Sequence, residues 1–115
     1  METINKETLL SKISNKENFI IQYSASWCGP CRILTPILEN IGLSAGIDIF
    51  KFDISEDSQF ALDKKIMSIP YVEYYKSGEL INHSIGQSPR EFYEEQINEV
   101  YKWNWQNKKI YKLWL

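Results

Sequence analysis

The chain has 115 residues, of which 43% are hydrophobic, 24% charged and 14% aromatic, a size and composition that suit one globular domain with a single core and leave no need for disulfide staples. Its formal charge of −2 excludes the basic footprint that backbone-led binding of nucleic acid requires. The start, METINKETLLSKIS, lacks the basic opening and apolar run of a signal peptide, and no apolar stretch approaches the ~20 residues of a membrane-spanning helix, so a cytoplasmic protein with no membrane partner is expected.

In chain order, a short strand is predicted near Thr3–Asn5, and Leu9, Leu10 and Ile13 then suit a helical turn or two. Asn18–Ser24 (NFIIQYS) reads as a buried strand that stops at ASWCGPC. Pro30 suits the first turn of a helix, and Ile33, Leu34, Ile37, Leu38 and Ile41 recur at three- and four-residue spacing, as a helix packed on a sheet requires. Pro36 interrupts that helix and predicts a kink, and Gly42–Gly46 closes it.

Ile47–Ile54 is the next strand, and Ser55, Glu56 and Asp57 are expected to start a helix that ends near Lys65. Tyr71–Lys76 and Glu79–Ile85 flank Ser77-Gly78 as a hairpin, and Ser88-Pro89 is expected to cap a last helix with Phe92, Ile97 and Val100 on its inner side. The order β-α-β-α-β-α-β-β-α predicts an α/β fold, a mixed central sheet of four to five strands with helices on both faces.

The chemistry lies in Trp27-Cys28-Gly29-Pro30-Cys31, two cysteines at a strand–helix junction. Cys28 stands just before the helix, where unpaired N–H groups and the positive dipole end favour thiolate over thiol and make it the attacking group. Cys31, one turn in, is expected to be less exposed and within reach of a mixed disulfide formed by Cys28. A structural disulfide closing so short a loop would constrain the unfolded chain little. A zinc site needs about four ligands, and the chain offers Cys28, Cys31 and the lone His83. The CGPC tetrapeptide at this junction favours redox chemistry over two inert buried cysteines.

On these residues the chain resembles the thioredoxin family over about residues 1–101, with WCGPC as the family's active-site signature. Further matches are Pro36 as the kinking proline, Ile69-Pro70 as the cis-proline dipeptide, Lys76-Ser77-Gly78-Glu79 as the hairpin turn, and Gly86 as the glycine of the substrate groove. The resemblance implies a protein disulfide oxidoreductase of thioredoxin fold, with Cys28 as nucleophile, Cys31 as resolving thiol and Pro70 in cis facing the pair. Trp27, Pro30, Ile69, Ile85 and Gly86 would then form a shallow apolar surface for an extended peptide, with Ile69 offering its backbone. Simple core packing is the competing reading for Trp27, Ile69 and Ile85. Protein disulfides are the implied substrates, a thioredoxin reductase or another electron donor the implied partner; no cofactor is expected, and a monomer is. A binding scaffold, and within the enzyme class an oxidase or isomerase, are the alternatives to a reductase.

Three features depart from the family. Gln22 stands where thioredoxins carry a buried aspartate that takes the proton of the resolving thiol, and an amide cannot act as a base near neutral pH. The neighbouring lysine is retained as Lys51, which either assists Cys31, directly or through water, or only solvates the strand end. Glu73 replaces an apolar residue on the strand face of Tyr71 and Tyr75, so it must lie near an edge of the packing or be hydrogen-bonded to a tyrosine or lysine. His83 reads as an exposed strand residue with no role. The segment 102–115 extends the fold as a basic, aromatic tail, either packed on the domain or docking a partner or an anionic membrane surface.

Overall fold

Five strands and four helices follow one another in the expected order in a computed structural model that describes residues 1–102. They are β1 (Glu2–Thr3), α1 (Lys6–Ser14), β2 (Phe19–Ser24), α2 (Gly29–Ala45), β3 (Asp48–Asp53), α3 (Ser58–Asp63), β4 (Tyr71–Lys76), β5 (Glu79–Ile85) and α4 (Arg90–Tyr101). The strands form one mixed sheet in the order β1-β3-β2-β4-β5. β3 runs parallel to both β1 and β2, β4 antiparallel to β2, and β5 antiparallel to β4. Parallel neighbours need helical crossovers, whereas β4 and β5 need only the Ser77-Gly78 turn.

Strand alternation splits the core into two layers. Phe19, Ile21 and Tyr23 of β2 and Tyr75 of β4 pack on one face with Leu9 of α1 and Ala61 of α3. Ile20 of β2 and Val72 and Tyr74 of β4 pack on the other with Leu34, Leu38 and Ile41 of α2 and Tyr93, Ile97 and Val100 of α4. Helices therefore cover both faces, as the element order predicts.

Several local details differ from the sequence expectation, among them the end of the third helix at Asp63 rather than near Lys65 and a third strand of Asp48–Asp53 rather than Ile47–Ile54. The first strand ends at Thr3 because Asn5 leaves it to cap α1, its side chain accepting the Thr8 N–H at 2.9 Å. The third helix begins at Ser58, not Ser55. The Asp53 carboxylate takes the Ser55 N–H at 2.9 Å and holds that residue in a turn, and Asp57 becomes the cap by accepting the Phe60 N–H at 3.1 Å. Ser88 provides no side-chain cap for α4; its N–H donates to the Tyr93 hydroxyl at 3.1 Å. Tyr93, rather than Phe92, is the aromatic residue that α4 buries fully, and Phe92 is half-buried. Of the expected extension 102–115, all but Lys102 lies outside the described residues.

Candidate active site

α2 starts with Cys28 as its N-cap in extended conformation, because the chain leaving β2 turns through Ala25, whose carbonyl accepts the Cys28 N–H at 3.1 Å. Gly29 and Pro30 are the first two helical residues, and Pro30 removes one N–H that would otherwise lack a partner. The next N–H, that of Cys31, donates to the Cys28 Sγ at 3.2 Å. No acidic residue occupies the first turn, so nothing there offsets the positive end of a 17-residue helix. Cys28 and Cys31 are joined in a disulfide with Cα atoms 5.3 Å apart. Both sulfurs are sheltered: Cys28 is 5% exposed and Cys31 2%.

Behind Cys31 lies a polar layer. Gln22 is fully buried, and its Nε2 donates to the Cys31 carbonyl at 3.2 Å. The Thr35 hydroxyl lies 2.9 Å from that same carbonyl and 3.2 Å from Gln22 Oε1, its single proton serving one of the two at a time. The amide is thus committed to the helix backbone rather than to a sulfur. Thr35 was not singled out in the sequence, although a threonine four residues after Cys31 on a helix is placed to bond back to that carbonyl.

Lys51 is half-buried on β3, opposite Gln22 in the parallel register. Among the described residues no hydrogen bond joins it to Gln22; instead it shares with Cys31 a cavity of about 450 Å³ that Arg32, Thr35, Ser24 and Asp53 also line. The cavity brings two cations and one carboxylate to the side of Cys31.

The second half of the site comes from β4 and β5. The Ile69-Pro70 bond is cis, Pro70 is buried and Ile69 half-buried. Tyr23 pairs with Tyr71 between antiparallel β2 and β4, so one further step brings Pro70 to the level of Ser24, at the end of the sheet from which the Cys28 loop departs. The Gly86 N–H donates to the Pro70 carbonyl at 2.8 Å, and the Gly86 carbonyl accepts the Tyr93 hydroxyl at 3.1 Å. Gly86 has φ +81, open to glycine without strain. Trp27 is 68% exposed and Ile85 59%, so neither is a core residue.

A family model for thioredoxin matches residues 1–99. The chain belongs to the thioredoxin family. It is 36% identical over 98 residues to the thioredoxin of Chlamydia pneumoniae, covering 76% of this chain and 96% of that one. To the thioredoxin of Bacillus subtilis it is 34% identical over 82 residues, covering 70% and 79% of the two chains. Among solved structures, the oxidised thioredoxin of Plasmodium falciparum superposes with a TM-score of 0.75 at 25% identity, covering 86% of this chain and 96% of that one. The thioredoxin of Trypanosoma brucei brucei gives 0.78 at 19% identity over 89% and 90%, a likeness of fold. With its Cys28–Cys31 disulfide, this member of the family is a thiol–disulfide oxidoreductase.

Against the thioredoxin pattern, Glu73 is explained by its partners. It is 2% exposed, yet it accepts the Tyr23 hydroxyl at 2.7 Å and the Tyr75 hydroxyl at 3.0 Å, and it pairs with Lys64 Nζ at 3.0 Å. Of the two readings open at the sequence level, hydrogen bonding to tyrosine and lysine holds. Burial, reinforced by the Glu73 charge and hydrogen bond, pushes the Tyr23 and Tyr75 hydroxyls far above the ordinary phenol range. His83 is exposed, with its ring stacked on Tyr71 at 5.3 Å. No helix among the described residues is long and apolar enough to cross a membrane.

Proposed function

We propose that this thioredoxin reduces protein disulfides in the cytoplasm, with Cys28 as nucleophile and Cys31 as resolving thiol. The observation that carries the division of roles is the Cys31 N–H on the Cys28 Sγ at the start of α2: a thiolate at Cys28 keeps that hydrogen bond at the positive helix end, and among the described residues no N–H donates to the Cys31 Sγ.

The Cys28 thiolate attacks one sulfur of the substrate disulfide. That S–S bond breaks, a mixed disulfide forms, and the departing substrate thiolate takes a proton from solvent. Cys31 then loses its proton and attacks the Cys28 Sγ, closing the internal disulfide and releasing the second substrate thiol. Two electrons have moved to the substrate, and a thioredoxin reductase or another dithiol donor returns them. With Gln22 unable to accept the Cys31 proton, Lys51 lowers the cost of a Cys31 thiolate by its charge, and the cavity they share lets water carry the proton away.

The substrate lies extended along Ile69-Pro70, where proline offers no competing N–H and the Ile69 backbone is available for pairing. Trp27, Pro30, Ile85 and Gly86 complete the surface. Residues 1–101 constitute the domain that carries this chemistry, as a monomer and without a cofactor.

Trapping experiments test the assignment. Cys28→Ser abolishes exchange, whereas Cys31→Ser still attacks and accumulates a mixed disulfide with the substrate; equal trapping through Cys31 in Cys28→Ser would reverse the roles. A reduction potential more negative than about −250 mV supports a reductant against the cytosolic glutathione pool, and a value well above it points to an oxidase or isomerase.

A further inference from the structure

A buried carboxylate without partners costs several kcal/mol, and even a well-paired buried ion pair seldom adds net stability over an apolar replacement. What such a group does provide is geometry, because each partner must stay in place. The Glu73 carboxylate ties two other segments to its own strand. Tyr23 belongs to β2, which runs on within five residues to Cys28. Lys64 caps the C-terminus of α3 and begins the segment that leads to Ile69-Pro70. Glu73 itself stands three residues beyond Pro70 on β4.

The Lys64–Glu73 pair therefore closes residues 65–72 at their base, and the Tyr23 bond ties that closure to the strand that delivers Cys28. Within the closed segment Ile66 is buried as an anchor, while Met67 is 79% exposed. We propose that Glu73 is a positioning residue for disulfide exchange: its carboxylate holds the cis-proline segment in register with the Cys28 strand and so sets the affinity for protein substrates. This rests on the reading that substrates lie along Ile69-Pro70.

Glu73→Gln keeps an oxygen for the tyrosine hydroxyls and loses the charge that holds Lys64; Lys64→Met keeps most of the stem and loses the ammonium. With dithiothreitol as electron donor, each variant raises KM for a disulfide-bonded peptide about three- to tenfold, while kcat and the rate with 2-hydroxyethyl disulfide, too small to use the surface, stay within about twofold. The double variant is no worse than either single one, because both remove the same contact. An unchanged KM, or peptide and small-disulfide rates falling together with the melting temperature, overturns the proposal. Ile85→Glu, an exposed change on the peptide surface, separates the two readings. If it raises KM while the Glu73 and Lys64 variants do not, only the positioning role falls. If it leaves KM unchanged, the surface reading fails and takes the positioning role with it.

Discussion

The side chain of Gln22 donates to the backbone carbonyl of Cys31 at 3.2 Å, so the residue that stands in the place of the family's buried acid grips the helix α2 instead of serving the Cys31 sulfur. Replacement by aspartate removes that donor and places a carboxyl in a fully buried position. Gln22→Asp is expected to lose about 1–3 kcal/mol of stability. The loss is larger at pH 8 than at pH 5, because burial raises the carboxyl above its unfolded value and such a group favours the folded state only while protonated. The same variant regains a base beside Cys31, so stopped-flow measurement of mixed-disulfide resolution should show a faster second step; an unchanged rate would refute the view that proton removal from Cys31 is limited by the missing acid.

The tyrosine cluster sets the alkaline limit. Tyr23 and Tyr75 are held far above the phenol value of 10.0 by burial and by Glu73, while in the unfolded chain they titrate near it. A group raised in the folded state stabilises fully below its unfolded pKa and loses that contribution as pH rises beyond it. Denaturation midpoints should thus be insensitive to these groups below pH ~10 and fall above it, by about 1.4 kcal/mol per pH unit for each tyrosine that stays protonated only when folded. Tyr23→Phe should make the fall shallower, which urea titrations between pH 9 and 11 would read.

Gly78 is required by space as well as by conformation. Its φ is +77, and a Cβ there would run into the Ile13 carbonyl oxygen, a backbone atom that cannot step aside. Gly78→Ala should destabilise by roughly 2–4 kcal/mol, combining left-handed strain with that clash, and lower the melting temperature without changing kcat of the molecules that remain folded.

Tyr93 holds the far side of the proposed substrate surface. Its hydroxyl donates to the Gly86 carbonyl and accepts the Ser88 N–H, both at 3.1 Å. Tyr93→Phe keeps the buried ring and should lose about 1–2 kcal/mol. Faster amide exchange in the Ile85–Ser88 segment than elsewhere in β5 is the local signature expected.

Much of this was legible in the chain itself. Cys28 as a helix cap needs only a strand, a Cys-Gly-Pro-Cys run and an amphipathic stretch beginning at Ile33, all of which act between near neighbours. The strands at Tyr71–Lys76 and Glu79–Ile85 have the expected ends because Pro70, Ser77-Gly78 and Gly86 are local breaks that do not depend on what packs nearby. Boundaries failed where two residues competed for one role: Asp53 drew Ser55 into a turn, and the cap passed to Asp57.

The sequence alone determined the order of elements, the redox pair at the start of α2, and that Gln22 and Glu73 needed an explanation. Only the tertiary structure decided what those two residues do. Alternation says that Glu73 faces inward, but its Tyr23 partner lies 50 positions away and meets it because β2 and β4 are neighbours in the sheet. Gln22 likewise found Thr35 and the Cys31 carbonyl because α2 folds back over β2. Periodicity and capping are properties of a few consecutive residues, whereas the partner of a buried polar group is fixed by which strands and helices are brought together, and that is a property of the whole chain.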